Sequence, residues 1–203
     1  MLTLVIASAN PHKAEELRTL LAGELGESVV LLDRPVTIPD VEETGSTLEE
    51  NARLKAIAIS TATGLAAIAD DTGLEVAALD GAPGVYSARY AGEGASYEDN
   101  VVKLLAELAG AKDRSARFRT VCVVAFPDST ELIAEGVANG VIAEAPIGSI
   151  GFGYDPVFRP DADPSRTYAE FSPEEKNLLS HRGAAVRALA VLLEEHRPSL
   201  SGS

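Results

Sequence analysis

The chain has 203 residues, 46% of them hydrophobic and 24% charged, and carries a formal net charge of −14. That length and composition suffice for one soluble domain with a sizeable core. The acid excess argues against wrapping nucleic acid or coating an anionic membrane, because both need a positive surface.

A single cysteine, Cys122, rules out an intrachain disulfide framework, and its place in the apolar run 120–126 reads as inert core. No signal-peptide pattern opens the chain, and no apolar run nears the roughly 20 residues of a membrane span. A cytoplasmic protein without nucleic-acid or membrane partners is expected.

Residues 2–7 form an apolar run that ends at Ser8-Ala9-Asn10-Pro11-His12-Lys13. Asn10 suits an N-cap and Pro11 a first helical position, and Leu17, Leu20, Leu21 and Leu25 recur at helical spacing. A loop between a strand and the positive end of a helix can hold an anion, and Lys13 adds a full charge there. The glycines of a P-loop are absent. A second strand is read at 29–32, followed by an acidic stretch, Val41-Glu42-Glu43-Thr44-Gly45. Ser46 and Glu49 have the spacing of a capping box. The helix beyond carries Ala52, Ala56 and Ile59 on one stripe, with Asn51 and Lys55 one turn apart beside it.

Next comes Ala66-Ala-Ile-Ala-Asp70-Asp71-Thr72-Gly73-Leu74, around which the rest is organised. It reads as a buried strand with paired acids at its carboxyl end, where open α/β sheets put their ligands. Two adjacent carboxylates in a poorly hydrated place need a cation or a proton, and Mg²⁺ suits an oxygen-only donor set. Gly73 would let the backbone turn sharply just after the acids, and the competing reading is an acid pair in a solvated turn, for which Asp-Asp-Thr-Gly is also suited. Residues 81–94 hold four glycines and a proline, which indicates irregular backbone. Ser96 and Asp99 cap a helix whose apolar face is Val101, Leu104, Leu105 and Leu108. Strand-like runs at 118–126 and 131–141 flank Pro127-Asp-Ser-Thr130, the spacing of an antiparallel hairpin, so a mixed sheet is expected.

Glycines 148, 151 and 153 surround Phe152 and Tyr154, which offers a flat ligand close backbone approach and a stacking face. Ser172 and Glu175 cap a short helix that carries Lys176, and Ser180-His181-Arg182 opens the last helix, with Val186, Leu189 and Leu193 as its stripe. A single domain over 1–197 with a disordered tail at 198–203 is expected. Cations and helix starts at 8–13 and 176–182, the slot at 152–155 and the acid pair together suit a nucleoside triphosphate with Mg²⁺.

At this point the motifs Ser8–Lys13, Glu42-Glu-Thr-Gly45 with Glu50-Asn-Ala52, Ala69–Leu74, Gly81-Ala-Pro-Gly84 with Ser87–Gly92, Gly151–Pro156 and Ser180–Arg182 resemble the signature blocks of the inosine/xanthosine triphosphate pyrophosphatases, the Ham1-like family. The resemblance covers nearly the whole chain in order. It implies hydrolysis of non-canonical purine nucleoside triphosphates to a monophosphate and pyrophosphate. It also implies an α/β fold: an elongated two-lobed body with a central mixed β-sheet flanked by helices, an active-site cleft between lobes, and a homodimer. Carried over by position, Asp71 matches the catalytic proton acceptor and metal ligand. Glu42 matches a second metal ligand, with Glu43 competing for that role. Ser8, Ala9, Asn10, Pro11, His12, Lys13, Lys55, Thr72, Phe152, Gly153, Tyr154, Asp155, Lys176, His181 and Arg182 match substrate-binding positions, and Mg²⁺ is the implied cofactor. Thr72 stands where the family often has Ser, and Pro11-His12 departs from the usual phosphate loop. Arg182 and backbone N–H groups near Phe152 only donate hydrogen bonds, so they would accept a 6-keto purine and oppose adenine's 6-amino group. A Maf-like nucleotide pyrophosphatase and a Mg²⁺-binding receiver module are the alternatives. The receiver reading expects its acid pair near the N-terminus, which this chain lacks.

Overall fold

The computed structural model describes residues 1–200, with side chains to His196. The last three residues of the expected 198–203 tail lie outside the described residues. In chain order the elements are β1 (Leu2–Ile6), α1 (Pro11–Leu25), β2 (Val29–Asp33), α2 (Leu48–Thr63), β3 (Ala66–Val76), β4 (Pro83–Gly84), α3 (Tyr97–Glu107), β5 (Ser115–Ala125), β6 (Glu131–Ile142), β7 (Phe158–Pro160), α4 (Pro173–Leu179) and α5 (His181–Leu200). The strands make one open mixed sheet in the order β2-β1-β3-β5-β6-β7, with β4 paired to β3. β1 is parallel to both neighbours, Leu4 lying opposite Leu31 and Ala66. β3 with β4 and β6 with β7 are antiparallel.

The chain divides into two compact units. The first comprises Met1–Asp71, Thr120–Gly136 and the segment from Arg182 onward. Its core gathers Leu4 and Ile6 of β1, Leu17, Leu20, Leu21 and Leu25 of α1, Ile68, Cys122 and Val124, and Val186, Leu189 and Leu193 of α5. The expected stripes of α1 and α5 are the faces they bury. The second unit, Thr72–Arg119 and Val137–His181, packs Leu74 and Val76 with Val101, Leu104 and Leu108 of α3 and the rings of Phe118, Tyr154, Phe158, Tyr168 and Phe171. β3, β5 and β6 each run from one unit into the other. Along β6 every second residue from Ala134 to Ile142 is buried, the period of a strand with one face solvated. No helix among the described residues is long and apolar enough to cross a membrane.

Three local expectations are corrected. The N-cap of α2 is Thr47, one residue later than the Ser46/Glu49 box, and its hydroxyl accepts from the Glu50 amide at 3.1 Å. Ser46 is instead held by the Glu50 carboxylate, which accepts from its backbone N–H at 2.6 Å. Second, the paired acids do not end their strand, and Gly73 is no pivot: β3 continues through both to Val76. Its second half persists because β4 pairs with it, Leu74 opposite Gly84. The acids still lie past the parallel part of the sheet, since β1 ends at Ile6 opposite Ile68. Third, the strand read at 118–126 begins earlier, at Ser115.

Candidate active site

In the first unit the site is built on β3. Successive side chains of a strand point to opposite faces, so Asp70 and Asp71 are directed apart and meet different helices. Asp70, 2% exposed, accepts on Oδ2 from Arg182 Nε at 3.1 Å and Nη2 at 3.0 Å. Arg182, equally buried at the start of α5, also donates through Nη1 to Glu16 of α1. Burial alone would raise the Asp70 pKa, but Lys13 and Arg182 hold this carboxyl well below the usual carboxylate range. Asp71 turns to α2, accepting from Asn51 Nδ2 and Lys55 Nζ, each at 3.3 Å. Here burial wins. It pushes the Asp71 carboxyl upward against the pull of Lys55 and Lys13, and Glu43 and Asp70 add to the rise. Lys55 would be lowered by its own burial, yet Asp71 and Glu43 carry it above its ordinary value.

Lys13 reaches both acids, its Nζ 3.9 Å from Asp70 Oδ2 and 3.8 Å from Asp71 Oδ1. It does so because Asn10 caps α1 as expected. The Asn10 side chain accepts from the amides of His12 at 3.0 Å and Lys13 at 3.3 Å, while Ser8 Oγ donates to the Asn10 carbonyl. Ala7 N–H donates to Ile68 O at 2.8 Å, which ties the 8–13 loop to the strand just before the acids. Within that loop Ala9, Pro11 and His12 are exposed.

On the acidic stretch, Glu43 donates nothing but accepts from Lys55 Nζ at 2.8 Å, whereas Glu42 is exposed. The arrangement therefore brings Glu43, not Glu42, to the Asp71 cluster. Gly45 makes this possible. Its N–H donates to Asn51 Oδ1 at 2.8 Å, and a Cβ there would stand 2.6 Å from Glu50 Cβ.

The second unit holds the other expected residues. Asp155 Oδ2 accepts from the Phe152 amide at 2.9 Å and from Lys176 Nζ at 2.7 Å. The Lys176 ammonium also sits 4.9 Å from the centre of the Phe152 ring, a cation–π distance. Gly151, at φ +82°, has no room for a side chain, because a Cβ would run into the Asp155 carboxylate. Gly153 also has positive φ, and Thr72 is half-buried.

Four of the groups expected to contact substrate have partners within the protein. The Phe152 N–H offered to a base is bonded to Asp155. Tyr154 is a core ring whose hydroxyl donates to Ser87 O at 2.9 Å. His181, 3% exposed, stacks on Phe118 with centroids 4.4 Å apart and planes at 15°. The guanidinium of Arg182, expected to meet a 6-keto group, is taken up by Asp70 and Glu16. Residues that the sequence reading passed over are Glu16, three positions beyond Lys13 on α1, and Tyr97, discussed below.

Whether the first unit suits Mg²⁺ can be judged from its donors. Among the described residues no three acidic, His or Cys side chains form a ready-made metal cage. That fits Mg²⁺ better than it first suggests, because this ion is commonly held by one or two carboxylates plus substrate phosphates. Asp71 and Glu43 are oxygen donors on either side of Lys55, a place already occupied by positive charge.

Among curated proteins, a Streptomyces coelicolor protein named dITP/XTP pyrophosphatase is 47% identical over 198 residues, spanning 96% of this chain and 98% of that one. A Bacillus licheniformis protein of the same name is 47% identical over 197 residues, spanning 96% of this chain and 100% of its own. Among solved structures, a HAM1 protein from Coxiella burnetii superposes with a TM-score of 0.86 at 44% identity, covering 96% of this chain and 100% of the other. Residues 4–192 match the Ham1 family, the span that contains every residue of both clusters, and the chain belongs to that family.

Proposed function

We propose that this chain hydrolyses non-canonical purine nucleoside triphosphates, of the inosine and xanthosine type, to the monophosphate and pyrophosphate. The observation that carries this reading is Lys13 bridging two buried acids of opposite character. Lys13 and Arg182 hold Asp70 ionised, whereas burial raises Asp71, so the two carboxyls differ in their affinity for a proton. The name borne by the relatives, dITP/XTP pyrophosphatase, supports the substrate class.

In the proposed reaction water attacks the α-phosphorus. Its oxygen forms the new P–O bond, Asp71 accepts its proton, and the bond to the β-phosphate oxygen breaks as pyrophosphate leaves. Lys13 and Lys55 meet the charge that develops on the phosphates. Asn51 holds Asp71 in orientation, and Arg182 with Glu16 fixes Asp70 and so the place of Lys13. Asp71 with Glu43 would hold Mg²⁺, which when bound supplies neutralisation of phosphate charge. Phe152 offers the base a stacking face. The Lys176 ammonium carries three N–H donors and no acceptor atom, so beyond its bond to Asp155 it favours a keto group over the amino group of adenine. An unmatched buried donor costs about 1–3 kcal/mol, which is the discrimination expected against adenosine triphosphate.

The test is release of pyrophosphate from inosine triphosphate with Mg²⁺, run beside adenosine triphosphate and beside a chelated sample. Equal kcat/KM for the two nucleotides, or full activity after chelation, would overturn the reading. A homodimer in the cytoplasm is part of the proposal, on the family resemblance, and a monomeric mass in sedimentation would remove the dimer.

A further inference from the structure

We infer that Tyr97 is a base-contacting residue which, with Phe152, makes a two-ring stacking surface. The inference rests on the proposed nucleotide pyrophosphatase activity and adds a residue to it. Tyr97 is the first residue of α3, fixed there by the Ser96–Asp99 capping box. Positions 97, 101, 104 and 108 lie on one helical stripe. Val101, Leu104 and Leu108 spend that stripe on the core of the second unit, 6%, 0% and 0% exposed. Tyr97 carries it onward to the surface and is 37% exposed. There its ring meets Phe152 at 5.8 Å between centroids, with the planes tilted by 39°.

Phe152 is itself an anchored ring. Its amide is bonded to Asp155, and Lys176 stands over it while bonded to the same carboxylate. An aromatic residue rigidly mounted beside such a ring, at the end of a core and still part-exposed, has a planar face to offer a planar ligand. Tyrosine adds large contact area at the cost of only two torsions. The tilt of 39° means the two rings do not present one flat wall. Tyr97 therefore adds contact at the margin of a base stacked on Phe152. Its contribution falls at the lower end of base–aromatic stacking, roughly fivefold in affinity. A stacking face is indifferent to the purine's substituents, so KM is affected for every purine and the ratio between purines is not.

The experiment is steady-state hydrolysis of inosine triphosphate by wild type, Tyr97→Leu and Tyr97→Phe, with binding of inosine monophosphate followed by tyrosine fluorescence, which the absence of tryptophan makes usable. Tyr97→Leu keeps the apolar stripe and removes the ring. The expected result is a KM and a monophosphate Kd raised about fivefold with kcat within a factor of two, and recovery of both in Tyr97→Phe. An unchanged KM and Kd in a folded Tyr97→Leu variant overturns the inference and leaves the pyrophosphatase reading standing. So does a variant in which kcat falls while KM does not. Wild type that releases no pyrophosphate from inosine triphosphate overturns the reading itself, and the inference with it.

Discussion

Arg182→Met is the perturbation in which the structure commits itself most. Methionine keeps an unbranched chain in the space that Arg182 fills but removes three hydrogen bonds, two to Asp70 and one to Glu16. Both Arg182 and Asp70 are 2% exposed, so solvent does not screen the charge left behind. Breaking a buried ion pair from one side costs about 3–5 kcal/mol. Lys13 remains 3.9 Å from Asp70 and offsets part of this, which places the expected loss near the lower bound, about 3 kcal/mol. For a chain of this size that corresponds to a fall in Tm of about 6–12 °C. Urea unfolding followed by far-UV circular dichroism measures it directly. The double variant Asp70→Asn/Arg182→Met removes both partners and should lose less than the sum of the two single changes, since the penalty lies in the orphaned charge. A loss under about 1 kcal/mol in Arg182→Met, or strict additivity in the cycle, would refute the assignment of Arg182 to the Asp70 brace.

Asp71→Asn preserves size and removes the proton acceptor, and pyrophosphate release should fall at least 10²-fold, the lower limit for general base catalysis; a loss below tenfold counts against Asp71 in that role. Gly151→Ala places a methyl against the Asp155 carboxylate at φ +82°. It should raise KM through displacement of Lys176 and Phe152 while leaving kcat within severalfold; an unchanged KM would show that this loop does not position the base. Because the folded-state pKa of Asp70 is depressed, its contribution to stability is complete above the ordinary aspartate value of 3.8 and is lost as pH falls below it. Wild type should therefore lose more stability than Asp70→Asn between pH 5 and pH 2.5, about the window set by that shift, and parallel curves would contradict the depressed pKa.

Much of this architecture was legible in the chain because local rules agreed with the global fold. Asn10-Pro11, Ser96 with Asp99, and Ser172 with Glu175 cap the helices they announce. The leucines of α1 are buried as their spacing requires. What the chain did not announce shares a cause, since each feature depends on a partner elsewhere in the sequence. Gly73 resembles a turn until β4 is there to pair with the strand beyond it. Glu42 and Glu43 are indistinguishable in composition, and only the seating of Gly45 on Asn51 selects Glu43 for Lys55. Arg182 at a helix start looked available to a ligand, but Glu16, 166 residues away along the chain, shares it with Asp70. His181 looked polar and accessible for the same reason, and its ring is spent on Phe118. Tyr97 could have been found by extending the α3 stripe one turn towards the N-terminus.

The extended run of β3 through its acids makes chemical identity a matter of parity. Asp70 and Asp71 are the same residue type, and what separates the ionised brace from the raised carboxyl is which side of the sheet each one faces. Loss of one residue between Ala66 and Ala69 would shift the strand by one step, delivering Asp71 to the place of Asp70 at Arg182 and leaving Asn51 and Lys55 to face Thr72. Composition and net charge would be almost untouched while the proposed base became the brace. A change of length in the loop 34–46 leaves that parity alone, whereas along these four residues it withdraws the carboxylate from Lys55.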